Sequence, residues 1–275
     1  MTAAAEAVIR MDAAAYHAHP ALSSTQARWI LDCPAKYRWR IDNPPDPTVT
    51  MHFGSAAHRL VLGEGPDYVT VDAPDWRTAD ARRQREEANA AGAPAILAHE
   101  MTVIRDMAAA LWSHPTAGRL LARPGTSEAV LLWSDPDNGV HCRAMLDRLP
   151  GLNPPATRSI ITDYKTTRDA SPRGFARAVA TYGYHVQAAW YLDAVAANGL
   201  GVDAVFVFIA QEKDPPYLVG VYQLDQEDLA LGHRMAAKSR RVYRDCTLSG
   251  TWPGYALEPV TLRLPYWATY EEETP

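Results

Sequence analysis

Cysteine is scarce. The 275 residues hold three, Cys33, Cys142 and Cys246, far apart and odd in number. That argues against a disulfide framework and against a cysteine-rich metal or iron–sulfur site, and makes a reducing cytoplasm the expected compartment. Long apolar runs are missing too: none approaches the roughly 20 residues needed to span a bilayer. The first eleven residues, Ala-rich with two charges, are too weakly apolar for a secretory signal. There is no internal repeat, no low-complexity linker and no surplus of positive charge. A net charge of −5 argues against a polybasic nucleic-acid coat, yet leaves room for positive charge confined to a groove.

What is present is ordinary in bulk. With 47% apolar and 21% charged residues, the chain has the composition of a soluble globular protein, long enough for one large domain. The informative stretch is Ile160-Ile161-Thr162-Asp163-Tyr164-Lys165-Thr166-Thr167. In an extended chain, Asp163 and Lys165 share a face and Tyr164 takes the other. A bare D-x-K is most often a simple ion pair, but the preceding segment changes its meaning. Val140, Cys142, Ala144 and Leu146 form one apolar face, while Arg143, Met145 and Asp147 share the opposite one. Adjacent strands would bring Asp147, Asp163 and Lys165 together.

The helical first part is expected over 1–125. Ser23 and Gln26 match a capping box, predicting a helix from Thr25 to Cys33, stopped by Pro34. A short helix follows over Ala35–Arg40, then the proline-rich turn Asn43–Pro47. His17 and His19, two apart in a loop, read as solvated or structural. Met51–Leu62 reads as a helix with small residues on one face, which would pack closely on a sheet and bury His58 near the strand ends. Tyr68–Val71 suggests a short strand. Arg82, Arg83 and Arg85 lie in a polar helix that most simply is a solvated face. An amphipathic helix over Ala95–Leu111 and another over Pro115–Leu121 complete this part.

The α/β core is expected over 126–225, with strands at Glu128–Trp133, Val140–Leu149, Ser159–Lys165, Val202–Ile209 and Tyr217–Leu224. Asp135 to Gly139 makes the first hairpin turn. Ser171-Pro172 opens a helical region that breaks near Gly183 and ends at Asn198-Gly199. Gln187 and Tyr191, four apart, share a helical face with Tyr184 three before Gln187. A basic C-terminal helix, Gln226–Asp245, precedes a tail that ends acidic at Glu271–Glu273, closing a third part over 226–275.

Two carboxylates, the intervening backbone carbonyl of Tyr164 and an imidazole suit a divalent ion that keeps several waters. Magnesium prefers oxygen ligands, and manganese also accepts a histidine nitrogen. Such ions activate a water and neutralise the transition state of phosphodiester hydrolysis, and two close ions can clamp attacking and leaving oxygens. Lys165 would add a fixed charge by the attacking water or the scissile phosphate, and its pKa could fall beside a metal.

With these residues placed, the chain resembles the PD-(D/E)xK nuclease superfamily. Gly54-Ser55-Ala56-Ala57-His58-Arg59-Leu60 is similar to the histidine helix of nucleases resembling the RecB nuclease domain, and Gln187 to Tyr191 to their Q-x-x-x-Y helix, in the same order. Leu22-Ser23-Ser24, Cys33-Pro34-Ala35 and Phe208 to Lys213 extend the likeness to the RecE type of exodeoxyribonuclease VIII nuclease domains, over about residues 16 to 245. The resemblance implies an α/β, restriction-endonuclease-like core: a central mixed five-stranded sheet flanked by helices, with a helical N-terminal region. By motif matching it makes His58, Asp147 and Asp163 metal ligands and Lys165 the catalytic lysine, with Glu128 a candidate further acid. Gln187 and Tyr191 would shape the site or hold DNA, with Arg143 and Tyr184 as further candidate contacts. It implies Mg2+, replaceable by Mn2+, with two ions per site and no iron–sulfur cluster. It also implies 5′→3′ digestion from double-stranded DNA ends, a homo-oligomeric ring and a single-strand annealing partner. A CRISPR-adaptation-type nuclease, an endonuclease on the same fold, a non-catalytic DNA-end-binding module and a metal-free buried ion network are the competing readings.

Overall fold

The computed structural model describes residues 8–44, 49–64, 67–151, 158–201 and 203–264. Parts of the expected proline-rich turn (45–47) and of the loop after the second strand (152–157), position 202 and the acidic tail lie outside them.

The helical half follows local signals. Helix α1 (Ala13–Ala18) is capped by Asp12, and the two-residue strand β1 (Leu22–Ser23) leads directly into α2 (Ser24–Asp32). The capping box is present: Ser23 Oγ accepts from Gln26 N at 3.3 Å, and Gln26 Oε1 accepts from Ser23 N at 2.9 Å. Pro34 occupies the first turn of α3 (Pro34–Asp42), where a missing N–H costs nothing. Helix α4 (Val49–Leu62) carries His58. Strand β2 (Val69–Val71), helix α5 (Ala79–Ala90) and strand β3 (Ala95–Leu97) form a small satellite, with β2 and β3 parallel. The expected helix from Ala95 therefore starts three residues late, as α6 (Ala98–Ser113). Ala95, Ile96 and Leu97 are all buried and pair with β2, a tertiary contact that overrides their helical pattern. Helix α7 (Pro115–Ala122) follows.

The main sheet is mixed. Strands β4 (Gly125–Ser134) and β5 (His141–Pro150) form the antiparallel hairpin, closed by Asp135 Oδ1 accepting from Asp137 N and Asn138 N. Strand β6 (Ile160–Thr167) runs antiparallel to β5, with Arg148 opposite Thr162. Helices α8 (Pro172–Tyr182) and α9 (Tyr184–Ala197) cross over to β7 (Val205–Glu212), parallel to β6 along its whole length. Strand β8 (Val219–Tyr222) lies antiparallel on β7, and α10 (Gln226–Ser249) closes the described core. All five expected strands are present, and β1, parallel to β5 at Cys142 and Arg143, adds a sixth.

Two apolar layers cover the sheet. On one side Leu131, Ala144, Leu146, Ile161 and Phe208 pack against Ile30, Phe175, Trp190 and Ala236 from α2, α8, α9 and α10. On the other, Tyr164 and Ile209 meet Ala56 and Val61 of α4, Ile104 and Leu111 of α6, and Leu121 of α7. The small residues of the histidine helix thus do sit against the sheet.

Strict alternation fails at one place in β5. Leu146 and Leu149, three apart, both enter the same core, so the strand turns over at Asp147 and Arg148. Its partner strand is distorted at the same level. Glu128 has φ +50°, a conformation unusual for a non-glycine residue. The two opposed distortions occur where β6 comes alongside β5, on the edge that β1 occupies further back.

Candidate active site

The distorted pair defines the site. Ser127 pairs with Arg148 and Ala129 with Leu146, which sets Glu128 opposite Asp147 across the hairpin. Two carboxylates in facing positions repel, and a left-handed glutamate is strained; both are costs that functional sites commonly carry. His58 reaches the pair from α4, with Nδ1 3.6 Å from Asp147 Oδ2. One donor atom each from His58, Glu128 and Asp147 lies within 4.8 Å of the others. Asp147 also takes over a backbone role: its Oδ2 accepts from Tyr164 N at 2.8 Å, so a side chain fills the fork between β5 and β6. In a strand the N–H and C=O of one residue point to the same side, which turns the Tyr164 carbonyl to that fork.

Asp163 and Lys165 adjoin the fork from the α9 face. Asp163 is fully buried, its Oδ2 ion-paired with Lys165 Nζ, and its Oδ1 accepts from Gln187 Nε2 at 3.1 Å. Lys165 Nζ lies 5.3 Å from the centroid of the Tyr184 ring. Tyr191 is buried edge-on to Phe206 with its hydroxyl bonded to Gln187, so it acts on the site through Gln187 rather than by facing solvent. Tyr164 points its ring to the opposite layer, 5.1 Å from that of His58, and its hydroxyl donates to Gln211 Oε1 at 2.7 Å.

The charges are strongly perturbed. Burial, then Asp147 and Glu64, push Glu128 up to about 7. Burial raises Asp147, against the pull of Lys165. Burial pushes Asp163 up to about 6, with Lys165 again opposing. Burial, reinforced by Lys165, drives His58 down to about 4, leaving a neutral imidazole with a free lone pair. For Lys165 burial lowers the pKa, but Asp163 and Asp147 outweigh it and the net shift is upward. In this arrangement the lysine is a cation. A neutral histidine beside crowded, proton-holding carboxylates is a donor set suited to a divalent ion.

The placement of the expected residues is uneven. His58, Glu128 and Asp147 form the compact cluster, while both Asp163 carboxylate oxygens are engaged by Lys165 and Gln187. Arg143 goes elsewhere: it is buried, its guanidinium donates to the carbonyls of Tyr16, His17 and His19, and it lies 4.8 Å from the Tyr16 ring. Alternation put it on the polar face, but the N-terminal segment covers that face, so the expected substrate contact is replaced by an internal anchor. Arg82 and Arg83 are also engaged locally, Arg82 with the Arg77 and Thr78 carbonyls and Arg83 with Asp80 and Glu87. Arg28 of α2 was not anticipated. It lies within electrostatic reach of the Asp163 carboxylate, donates to Thr25 Oγ1 at 3.0 Å and binds the Tyr182 carbonyl. Nothing in its sequence context marks it. A cavity of about 600 Å³ opens beside Glu128, lined also by Arg10, Arg148, Thr126, Ser127 and Glu64.

A mixed sheet with a histidine helix, an Asp strand, a D-x-K strand and a Q-x-x-x-Y helix is the fold of the PD-(D/E)xK nuclease superfamily. The chain belongs to the family described as PDDEXK-like domain of unknown function (DUF3799), whose model matches residues 23–262. Among solved structures, a protein from Eubacterium rectale provisionally designated an exonuclease superposes with TM-score 0.65 at 12% identity, covering 96% of this chain and 99% of its own. That likeness is one of fold. A second, SSO0001, reaches TM-score 0.30 at 14% identity over 71% of this chain and 87% of its own. No curated protein matches the sequence. Among the described residues, no helix is long and apolar enough to cross a membrane.

Proposed function

We propose that this protein is a divalent-metal-dependent exodeoxyribonuclease that hydrolyses double-stranded DNA from its ends, 5′→3′, leaving 3′ single strands for a recombination partner. The observation that carries the reading is the His58–Glu128–Asp147 cluster abutting the Asp163–Lys165 pair at the strand fork. A structural ion network would pair its acids with cations; here two acids face each other, and the group beside them is a neutral histidine, 3.6 Å from Asp147.

His58, Glu128, Asp147, Asp163 and the Tyr164 carbonyl would hold Mg2+ or Mn2+, in one or two ions. Such ions supply Lewis-acid activation of water and neutralisation of a pentacovalent phosphate. The chain's own groups do the rest. Lys165, held as an ammonium by Asp163, presents positive charge to the non-bridging phosphate oxygens. Gln187, braced by Tyr191, fixes the Asp163 carboxylate through its amide. Phosphate that approaches the fork meets Lys165 and Arg28 on one side and the Arg10–Arg148 cavity on the other. A net acidic chain needs a further means of retaining DNA, and a ring of copies around the duplex would provide it by topology.

The test uses linear duplex labelled at either 5′ or 3′ ends and closed circular duplex, each with magnesium or chelator, and Asp163→Ala as control. Magnesium-dependent loss of the 5′ label, with circles intact, is expected. Cut circles would replace the exonuclease with an endonuclease on the same fold. Binding to ends without cleavage would make it a non-catalytic module.

A further inference from the structure

A row of aromatic rings runs out of the core beside Lys165. Phe208 meets Phe175 edge-on at 5.5 Å, Phe175 meets Tyr184 at 6.2 Å and 32°, and Tyr184 meets Tyr182 at 5.6 Å and 35°. Phe208 and Phe175 are buried and Tyr184 is half-buried, but Tyr182 is 59% exposed. The row therefore ends in an uncovered ring, one aromatic neighbour away from the catalytic ammonium, since Lys165 Nζ sits 5.3 Å from the Tyr184 centroid. A single exposed aromatic is unremarkable on a protein surface, and Trp39 and Trp112 are exposed as well. Neither of those belongs to this row.

The position of Tyr182 is also held. Arg28 donates to its backbone carbonyl, and the left-handed Gly183 joins it to the first turn of α9, which carries Tyr184. An uncovered ring on a backbone held by a guanidinium, with an ammonium over the next ring inward, is what a nucleobase with its phosphate would meet: a face to stack on and positive charge for the backbone. Such stacking tolerates any base, because every base presents a π-face.

Resting on the nuclease reading, we infer that Tyr182 is a stacking platform for one unpaired base of the DNA strand that enters the site. Its role is substrate positioning. It makes no demand on the metal cluster, and its exposure makes substitutions there compatible with folding.

A double-mutant cycle tests it. Wild type, Tyr182→Ala, Tyr182→Phe and Tyr182→Trp are titrated by fluorescence anisotropy with duplexes carrying one abasic residue, moved stepwise from the end. Calcium replaces magnesium in the titrations, and blunt and overhanging ends form separate arms. Tyr182→Ala is expected to weaken binding of intact DNA roughly tenfold, with Phe and Trp restoring it. At one position the abasic residue should cost wild type the same factor and cost Tyr182→Ala nothing more. Coupling in the overhang arm alone would mean that the platform takes a base already unpaired; coupling in both would mean that it takes one from a melted end. Tight binding of intact DNA with no position coupled to Tyr182 overturns the platform while leaving the nuclease reading in place. Failure of wild type to bind any DNA overturns both.

Discussion

Glu128 stands opposite Asp147 across the β4–β5 hairpin with its backbone in the left-handed region at φ +50°. The arrangement opposes folding twice, through like-charge repulsion and through strain. A carboxyl whose pKa is raised to about 7 from an ordinary 4.5 holds its proton more tightly folded than unfolded. Its linkage therefore makes stability fall as pH rises between those two values, and stay lower above them.

Glu128→Gln removes that loss. With chelator present, the variant should be more stable than wild type at pH 8, by about 1–3 kcal/mol, and equal to it near pH 4. Denaturant titrations at the two pH values read this directly. Added Mn2+ should raise the melting temperature of wild type more than that of the variant. An advantage that is the same at both pH values would mean that the neutral amide's own contacts, not proton linkage, are responsible.

Lys165 and Asp163 form one unit electrostatically but should separate by function. Lys165→Ala leaves a buried carboxylate without its cation, so it should lose several kcal/mol of stability at neutral pH. It should keep Mn2+ binding by calorimetry while cleavage falls by 10²-fold or more. Asp163→Ala should lose cleavage and weaken metal binding together. Near-full cleavage by Lys165→Ala would remove the lysine from the chemistry.

Much of this site was legible because short-range rules governed it. The D-x-K alternation, the Ser23–Gln26 capping box and the helix break at Gly183 are each set by residues within four positions of one another. The Glu128 distortion was not legible, because nothing in an S-E-A strand segment announces a left-handed residue. It follows from the fork where β6 meets β5, a feature of sheet assembly. Arg143 shows the same limit from the other side. Alternation placed it correctly on the face of Asp147, but chain more than 120 residues earlier covers that face with three carbonyls. The strand β3 was hidden because Ala95, Ile96 and Leu97 fit the helical period of the segment they precede, and only β2 decides between the two.

The joint between α8 and α9 offers a test of how far positioning alone sets the rate. Gly183 has φ +65°, and a Cβ added there would lie 3.0 Å from Arg28 Cδ and 3.4 Å from Cγ. Gly199, just past the far end of α9, also has φ +65° but nothing within 4 Å of an added Cβ. Alanine at either position takes the left-handed penalty of roughly 1–2 kcal/mol, so both variants should lose comparable stability by denaturant titration. They should differ in cleavage. Gly183→Ala crowds the Arg28 side chain by a few tenths of an ångström, and Arg28 and the first turn of α9, which carries Tyr184 and Gln187, share the adjustment. Its rate should fall a few-fold below that of Gly199→Ala, since even small displacements of a positioned group are costly. Equal rates in the two variants would mean that the joint fixes the fold of the helix pair but not the geometry of the site.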